Sequence, residues 1–300
     1  MTSVAVLMST YNGEKYIEEQ INSIFSQDDV SVTLFIRDDG STDSTVSIIS
    51  RLSKNFNINV TIGENIGWRR SFMELVYLVP STYEYYAFSD QDDVWLKEKL
   101  ISSVKNLKED DVPALCCSAQ TLVDQDLKPL RKELHMFPRT FEEAMTNISC
   151  RGCTEVFNKQ LLLQLKAYRP SITFAHDRWV ARVANCFGII HFDSASYILY
   201  RQHENNSAGN NYNVSLKDQI GRALKNYKNK DFYYWYAKEI LIGYGDSIED
   251  RKKAWLFTLV GARTNLRLKL KLLQSRNFVS ESIKGTVLLK LVMFFGLYQK

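Results

Sequence analysis

Carboxylates stand in tight groups along this chain. Asp38-Asp39 precede Gly40, Asp90-Gln91-Asp92-Asp93 crowd one turn, and Asp177 follows His176. A lone loop acid is commonly a helix cap or a solvated turn residue. Acids packed into one turn differ, because like charges at close range disfavour ionisation. A divalent cation relieves that repulsion, and an oxygen donor set suits Mg²⁺ or Mn²⁺. Such an ion would in turn neutralise a diphosphate. Asp92 is the first choice of metal ligand; Asp90 and Asp92, two apart, face one point if the turn is tight. His203 is a second ligand for metal or phosphate, and Arg201 an alternative holder of phosphate oxygens.

The other acids suit a nucleotide and an acceptor. Asp38 or Asp39 can accept from a pyrimidine N–H or hold a ribose hydroxyl. Thr10, Tyr11 and Asn12 would close the opposite side of that pocket, with Tyr11 either stacking on the base or belonging to the core. Asp177 either opens a helix or serves as a general base that takes a proton from a hydroxyl.

Elements must bring these groups together. Val4–Met8, Val32–Ile36, Ile58–Ile62 and Tyr85–Phe88 read as short buried strands. Apolar residues at helical spacing alternate with them: Ile17, Ile21 and Ile24, then Val46, Ile49 and Leu52, then Phe72, Leu75, Val76 and Val79 before Pro80. Thr42 is placed to cap the second of these helices, and Leu96–Leu107 reads as a fourth. This alternation predicts βαβ units and a mostly parallel sheet flanked by helices. Polar loops follow strands one, two and four, where an open α/β sheet binds its ligand. No Gly-x-Gly-x-x-Gly or Walker A loop follows strand one, which argues against a nicotinamide or P-loop protein. Residues 112–117 and 120–124 read as two strands, 126–143 as a long connection, Phe157–Leu165 and Thr173–Phe187 as helices, and 188–200 as one or two strands.

Beyond Asn206 the pattern changes. Ser207–Asn213 is polar and loop-like, and the rest reads as helix; Ile220, Leu224 and Tyr227 share one face. Residues 201–300 carry 18 basic and 8 acidic residues, against 20 and 26 in residues 1–200. Leucines there alternate with Arg263, Arg267, Lys269, Lys271 and Arg276. That pattern fits a surface helix with snorkelling side chains or contact with a membrane surface. No motif of nucleic-acid recognition accompanies the charge, so no nucleic-acid partner is expected. An apolar content of 45% over 300 residues excludes a disordered or fibrous chain. Five cysteines, with a single C-x-x-C at Cys150 and Cys153, make neither a disulfide framework nor a complete thiolate zinc site. With no signal-like N-terminus and no apolar stretch of spanning length, the expectation is a cytoplasmic protein, peripheral on the inner face of the cell membrane.

The motifs resemble family 2 of the glycosyltransferases, which has the GT-A fold, in its rhamnosyltransferase-like branch. Ser9-Thr10-Tyr11-Asn12-Gly13 resembles the family's opening, and Arg37-Asp38-Asp39-Gly40-Ser41-Thr42-Asp43 its nucleotide loop. Asn65, Gly67 and Arg70 are similar to its element near the donor. Ser89-Asp90-Gln91-Asp92-Asp93-Val94-Trp95 resembles its D-x-D metal motif. His176-Asp177 falls where the family carries Glu-Asp, and Tyr200-Arg201-Gln202-His203 is similar to the segment that closes the site.

The resemblance spans roughly residues 2–210. It implies an α/β, GT-A (Rossmann-like) catalytic domain over 1–210, with the nucleotide-sugar region at about 1–110 and the acceptor and base region at about 111–210. A basic helical extension would follow over 211–300 and meet a membrane surface or a second copy of the chain. The implied reaction moves a hexose or deoxyhexose, with inversion, from dTDP-rhamnose or a UDP-hexose to a hydroxyl. The acceptor would be a cell-surface polysaccharide, lipid-linked or not, or a glycan on a protein. Thr10, Tyr11, Asn12, Asp38, Asp39, Asn65, Gly67, Arg70, Asp90, Gln91 and Arg201 would hold the donor. Asp92 and His203 would hold Mn²⁺ or Mg²⁺, and Asp177 would be the base. The alternative is a non-catalytic nucleotide-sugar-binding or scaffold protein of the same fold.

Overall fold

The first apolar run is buried on both faces: Val4 to Met8 have no exposed surface. Only a strand flanked by neighbours and covered above and below achieves that. In the computed structural model, which describes residues 1–134, 138, 140–147, 150–203, 233–280 and 283–295, this run is β1 (Thr2–Thr10). There follow α1 (Ile17–Phe25), β2 (Val30–Asp38), α2 (Thr45–Leu52), β3 (Ile58–Ile62), α3 (Trp68–Leu78) and β4 (Tyr85–Ser89). Next come β5 (Val94–Trp95), α4 (Lys99–Leu107), β6 (Ala114–Val123), β7 (Pro129–Glu133), α5 (Phe141–Asn147), β8 (Glu155–Asn158), α6 (Lys159–Lys166), α7 (His176–Phe187) and β9 (Ile189–Arg201). Helices α8 (Tyr233–Tyr244), α9 (Asp250–Gly261), α10 (Leu266–Gln274) and α11 (Ile283–Phe295) complete the described chain.

The sheet runs β3-β2-β1-β4-β8-β6-β9-β5, with β7 on β6. It is mixed, which corrects the expectation of a mostly parallel sheet. The pairs β1·β2, β1·β4, β2·β3 and β6·β9 are parallel. The pairs β4·β8, β5·β9, β6·β7 and β6·β8 are antiparallel. The reversal enters through β8, four buried residues inserted between β4 and β6. Its last two residues, Phe157 and Asn158, fall in the stretch the sequence reads as helix, and that helix begins only at Lys159. The stretch 112–124 holds one strand, β6, rather than two, 126–143 contains β7 and the start of α5, and 188–200 holds one strand, β9.

The chain divides into two compact units. One comprises Met1–His135, Cys150–Lys166 and Gly188–Asn210; the other comprises Met136–Ser149, Ala167–Phe187 and Asn211–Lys300. The first holds the sheet. In the second, the late helices share a core with α7: Phe174 stacks on Trp179 and Tyr236 at centroid distances of 5.3 and 4.1 Å. Buried Glu239 on α8 accepts from the Tyr168 hydroxyl at 2.7 Å and from Ser171 N–H at 2.8 Å. The expected loop at 207–213 and the face formed by Ile220, Leu224 and Tyr227 lie outside the described residues. Among the described residues no helix is long and apolar enough to cross a membrane. The five cysteines are buried and free.

Candidate active site

Parallel pairing puts the carboxyl ends of β1, β2 and β4 side by side, with Thr10 opposite Asp38 and Met8 opposite Ser89. The loops that leave them interlock. Asp38, fully buried, accepts from Thr10 Oγ1 at 2.8 Å, Ser41 Oγ at 2.6 Å and Ser41 N–H at 2.8 Å. Asp39, also buried, accepts from the N–H groups of Ile66 and Gly67 at 2.9 and 2.8 Å and pairs with Arg37. Thr10, Asp38 and Asp39 thus have their polar atoms turned into the protein. They hold the loops that would frame a nucleotide.

Asn12 adopts φ +46°, a left-handed conformation that Asn tolerates, and its Oδ1 accepts from Thr42 N–H at 2.9 Å. Thr42 therefore does not cap α2. Asp43 does local work there instead, accepting from Thr45 N–H at 3.0 Å. Tyr11 is 48% exposed, which removes the core reading of its ring. Gln91 grips its backbone at both ends, accepting from Tyr11 N–H at 2.9 Å and donating to Tyr11 C=O at 3.1 Å. Gly67, at φ +82°, opens α3, a conformation that favours glycine. Asn65 Oδ1 accepts from Gly67 N–H at 3.2 Å, and Arg70 lies exposed on α3.

The turn after β4 carries the acids. His203 Nε2 lies 2.7 Å from Asp92 Oδ2, so residues 111 apart in sequence meet. Asp93 is fully buried, and its Oδ1 accepts from Arg201 N–H at 3.1 Å. Its Oδ2 is buried with no hydrogen-bond partner among the described residues. Burial pushes the Asp93 carboxyl well above its usual range, and the charges of Asp92 and Asp90 add to that. Burial also holds the Lys99 ammonium, 3.7 Å from the Trp95 ring centroid, down at about 8. Asp90, Asp93 and Cys153 bring potential ligand atoms within 4.8 Å of one another. An orphaned buried carboxylate oxygen among crowded acids needs a proton or a cation. The carboxylate oxygens at this turn suit a divalent ion of the Mn²⁺ or Mg²⁺ kind, whereas the Cys153 thiol is a softer donor; Asp92 and His203 pair with each other outside that group.

Asp177 belongs to the other unit, half-buried in the first turn of α7, where its Oδ1 accepts from Arg178 N–H at 2.7 Å. The preceding His176 is buried, which lowers its imidazole to about 4. Several neighbours escape sequence reasoning: Arg37 as the partner of Asp39, Cys153 beside Asp90 and Asp93, and Tyr16 and Glu19 of the α1 segment beside His203 and Arg201. Tyr16 reads from sequence only as one more residue on a helix face. Its contacts with His203 and Arg201 are visible only once the chain after β9 is seen to end against it.

Comparison with known proteins fits this geometry. The model of the family described as glycosyl transferase family 2 matches residues 5–203, ending on the histidine that meets Asp92. The dTDP-rhamnosyl transferase RfbG of Shigella flexneri is 34% identical over 252 residues, 78% of this chain and 82% of that protein. Among solved structures, Staphylococcus aureus TarS 1–349 in complex with UDP-GlcNAc aligns over 99% of this chain and 80% of its own, with 20% identity and a TM-score of 0.60. The mannosyltransferase PcManGT of Pyrobaculum calidifontis, in complex with GDP-Man and Mn²⁺, aligns over 99% and 81% with 16% identity and a TM-score of 0.53. These likenesses make the fold GT-A-like, with a C-terminal helical extension. With a family model spanning most of the chain and a relative matched over most of both lengths, the protein belongs to glycosyl transferase family 2.

Proposed function

We propose that this protein is a metal-assisted, inverting glycosyltransferase that moves a hexose or deoxyhexose from a nucleoside diphosphate sugar to a hydroxyl of a cell-surface polysaccharide or glycoprotein glycan. The observation that carries the proposal is the 2.7 Å meeting of His203 with Asp92, on the turn after β4 where the neighbouring Asp93 keeps one buried oxygen, Oδ2, without a hydrogen-bond partner among the described residues. dTDP-rhamnose is the favoured donor, because a relative 34% identical is named a dTDP-rhamnosyl transferase; a UDP-hexose is the alternative.

The residues divide the work. Tyr11 offers an exposed ring for the base, held in place by Gln91. Asp38 and Asp39 fix the loops around it. Asp92 and His203, with Asp90 and Asp93, are the groups to hold a divalent cation, which when bound neutralises charge on the departing diphosphate. Asp177 takes the proton of the acceptor hydroxyl as its oxygen bonds to the anomeric carbon and the bond from that carbon to the diphosphate oxygen breaks. A nucleotide leaving group needs charge neutralisation rather than the protonated acid a glycosidase supplies.

We place the reaction at the inner face of the cell membrane. Leu266 and Leu270 on α10 and Ile283, Val287 and Leu291 on α11 are exposed, and so are Arg267, Lys271 and Lys284 on the same helices. Apolar and cationic groups side by side suit an anionic lipid surface. Flotation with anionic and neutral vesicles tests this; a dimer in solution that ignores vesicles would refute it.

The reaction is tested by binding and turnover of dTDP-rhamnose, UDP-glucose, UDP-galactose and their N-acetyl forms, with and without Mn²⁺. Asp92→Ala should lose metal-dependent donor binding. Asp177→Asn should bind donor and lose transfer. Full activity of Asp92→Ala would end the metal assignment. Donor binding by the wild type without turnover on any acceptor would favour the scaffold alternative.

A further inference from the structure

Arg201 ends β9 with its side chain 3% exposed, so its charge must be met inside the protein. Its Nε donates to the Asp92 carbonyl at 2.9 Å, Nη1 to the Gln125 carbonyl, and Nη2 to Glu19 Oε2 at 2.6 Å. Its backbone N–H donates to Asp93 Oδ1 at 3.1 Å. The guanidinium carbon lies 4.5 Å from the centroid of the Tyr16 ring, which stacks on His203 at 5.3 Å and 29°. His203 closes the circuit on Asp92. With these three nitrogens donating within the protein, the fork is turned toward structure rather than toward a phosphate.

We propose that Arg201 and Tyr16, anchored by Glu19, are positioning residues that hold His203 and Asp92 in register for a divalent cation. The inference rests on the metal reading of Asp92 and His203 above. The physical reasons are direct. A planar guanidinium binds the carbonyl and the carboxylate at fixed angles, which an ammonium cannot reproduce. A ring in contact with both that plane and an imidazole constrains the tilt of the imidazole. Ligand-orienting partners of this kind are worth roughly 10–100-fold in metal affinity. The Tyr16 hydroxyl has no role in the circuit, so the ring alone should suffice.

The test is Mn²⁺ titration of the full chain, read by the electron paramagnetic resonance of free Mn²⁺. Melting temperature without metal controls for folding. Tyr16→Leu should weaken Mn²⁺ roughly 10–100-fold, Tyr16→Phe should leave it as in the wild type, and Glu19→Gln, at an exposed site, should weaken it by less than Tyr16→Leu. Excess Mn²⁺ should restore transfer to Tyr16→Leu but not to Asp92→Ala. If Asp92→Ala loses Mn²⁺ while Tyr16→Leu and Glu19→Gln keep wild-type affinity, the positioning role is overturned and the metal site stands. If Asp92→Ala binds Mn²⁺ like the wild type, the metal reading fails and this inference falls with it.

Discussion

Asp39→Asn separates a structural acid from a ligand. The carboxylate is 2% exposed and accepts two backbone N–H groups, from Ile66 and Gly67, while pairing with Arg37, whose side chain is 9% exposed. The amide keeps one acceptor and turns an N–H₂ toward donors. Among the described residues it also leaves the Arg37 cation with the Glu64 carbonyl at 3.0 Å and the Ser71 hydroxyl at 3.2 Å. Removing one partner of a buried ion pair costs about 3–5 kcal/mol, a large part of the roughly 5–15 kcal/mol that keeps a domain folded. Urea unfolding near neutral pH should show that loss. In a cycle with Arg37→Met the double variant should cost less than the sum of the singles, by about 1–3 kcal/mol. If Asp39→Asn stays within about 0.5 kcal/mol of the wild type and loses donor affinity instead, Asp39 is a nucleotide ligand and the loop-anchor reasoning is wrong.

Two further outcomes concern stability. A Cβ on Gly188 would sit 1.6 Å from the Pro113 carbonyl oxygen, a close approach that only glycine permits, so Gly188→Ala should cost about 3 kcal/mol or more in urea unfolding. A fully soluble variant with an unchanged midpoint would contradict that packing. His176 is held neutral by burial down to about 4, whereas the unfolded imidazole takes a proton near 6.5. The unfolded state therefore binds more protons between those values, and stability is lost as pH falls through the window, by roughly 3 kcal/mol. His176→Gln should flatten the stability profile there; an unchanged slope would show that other groups set it.

Much of the first half was legible because each of its elements carries its own signal. Apolar runs of strand length alternate with helical stripes, and β3 falls on Ile58–Ile62 as read. Asp92 stands out by its crowded acidic turn and His203 by its place at the end of the last strand-like run, and they touch. The sheet's direction was not legible, since β8 has only four residues and its partners β4 and β6 lie far away in sequence. Nor does spacing separate an acid that meets a ligand from one that ties a loop: Asp38 and Asp39 look alike from sequence until Ser41, Arg37 and Gly67 are seen to claim their oxygens. The position of Arg201 as a hub depends on its meeting Asp92, 109 residues earlier, and Glu19, 182 residues earlier, which no local pattern records.

The chain passes between its two units five times, at 135, 149, 166, 187 and 210. That itinerary constrains how new specificities arise. Recombination at a single point cannot exchange one unit for that of a relative. A crossover at 210, which looks like a natural seam, would set Trp179 of one parent against Tyr244 of the other, a pair now stacked at 6.4 Å. The sheet unit is transferable only as three matched segments moved together, with the intervening pieces 136–149 and 167–187 left with the helices of the other unit.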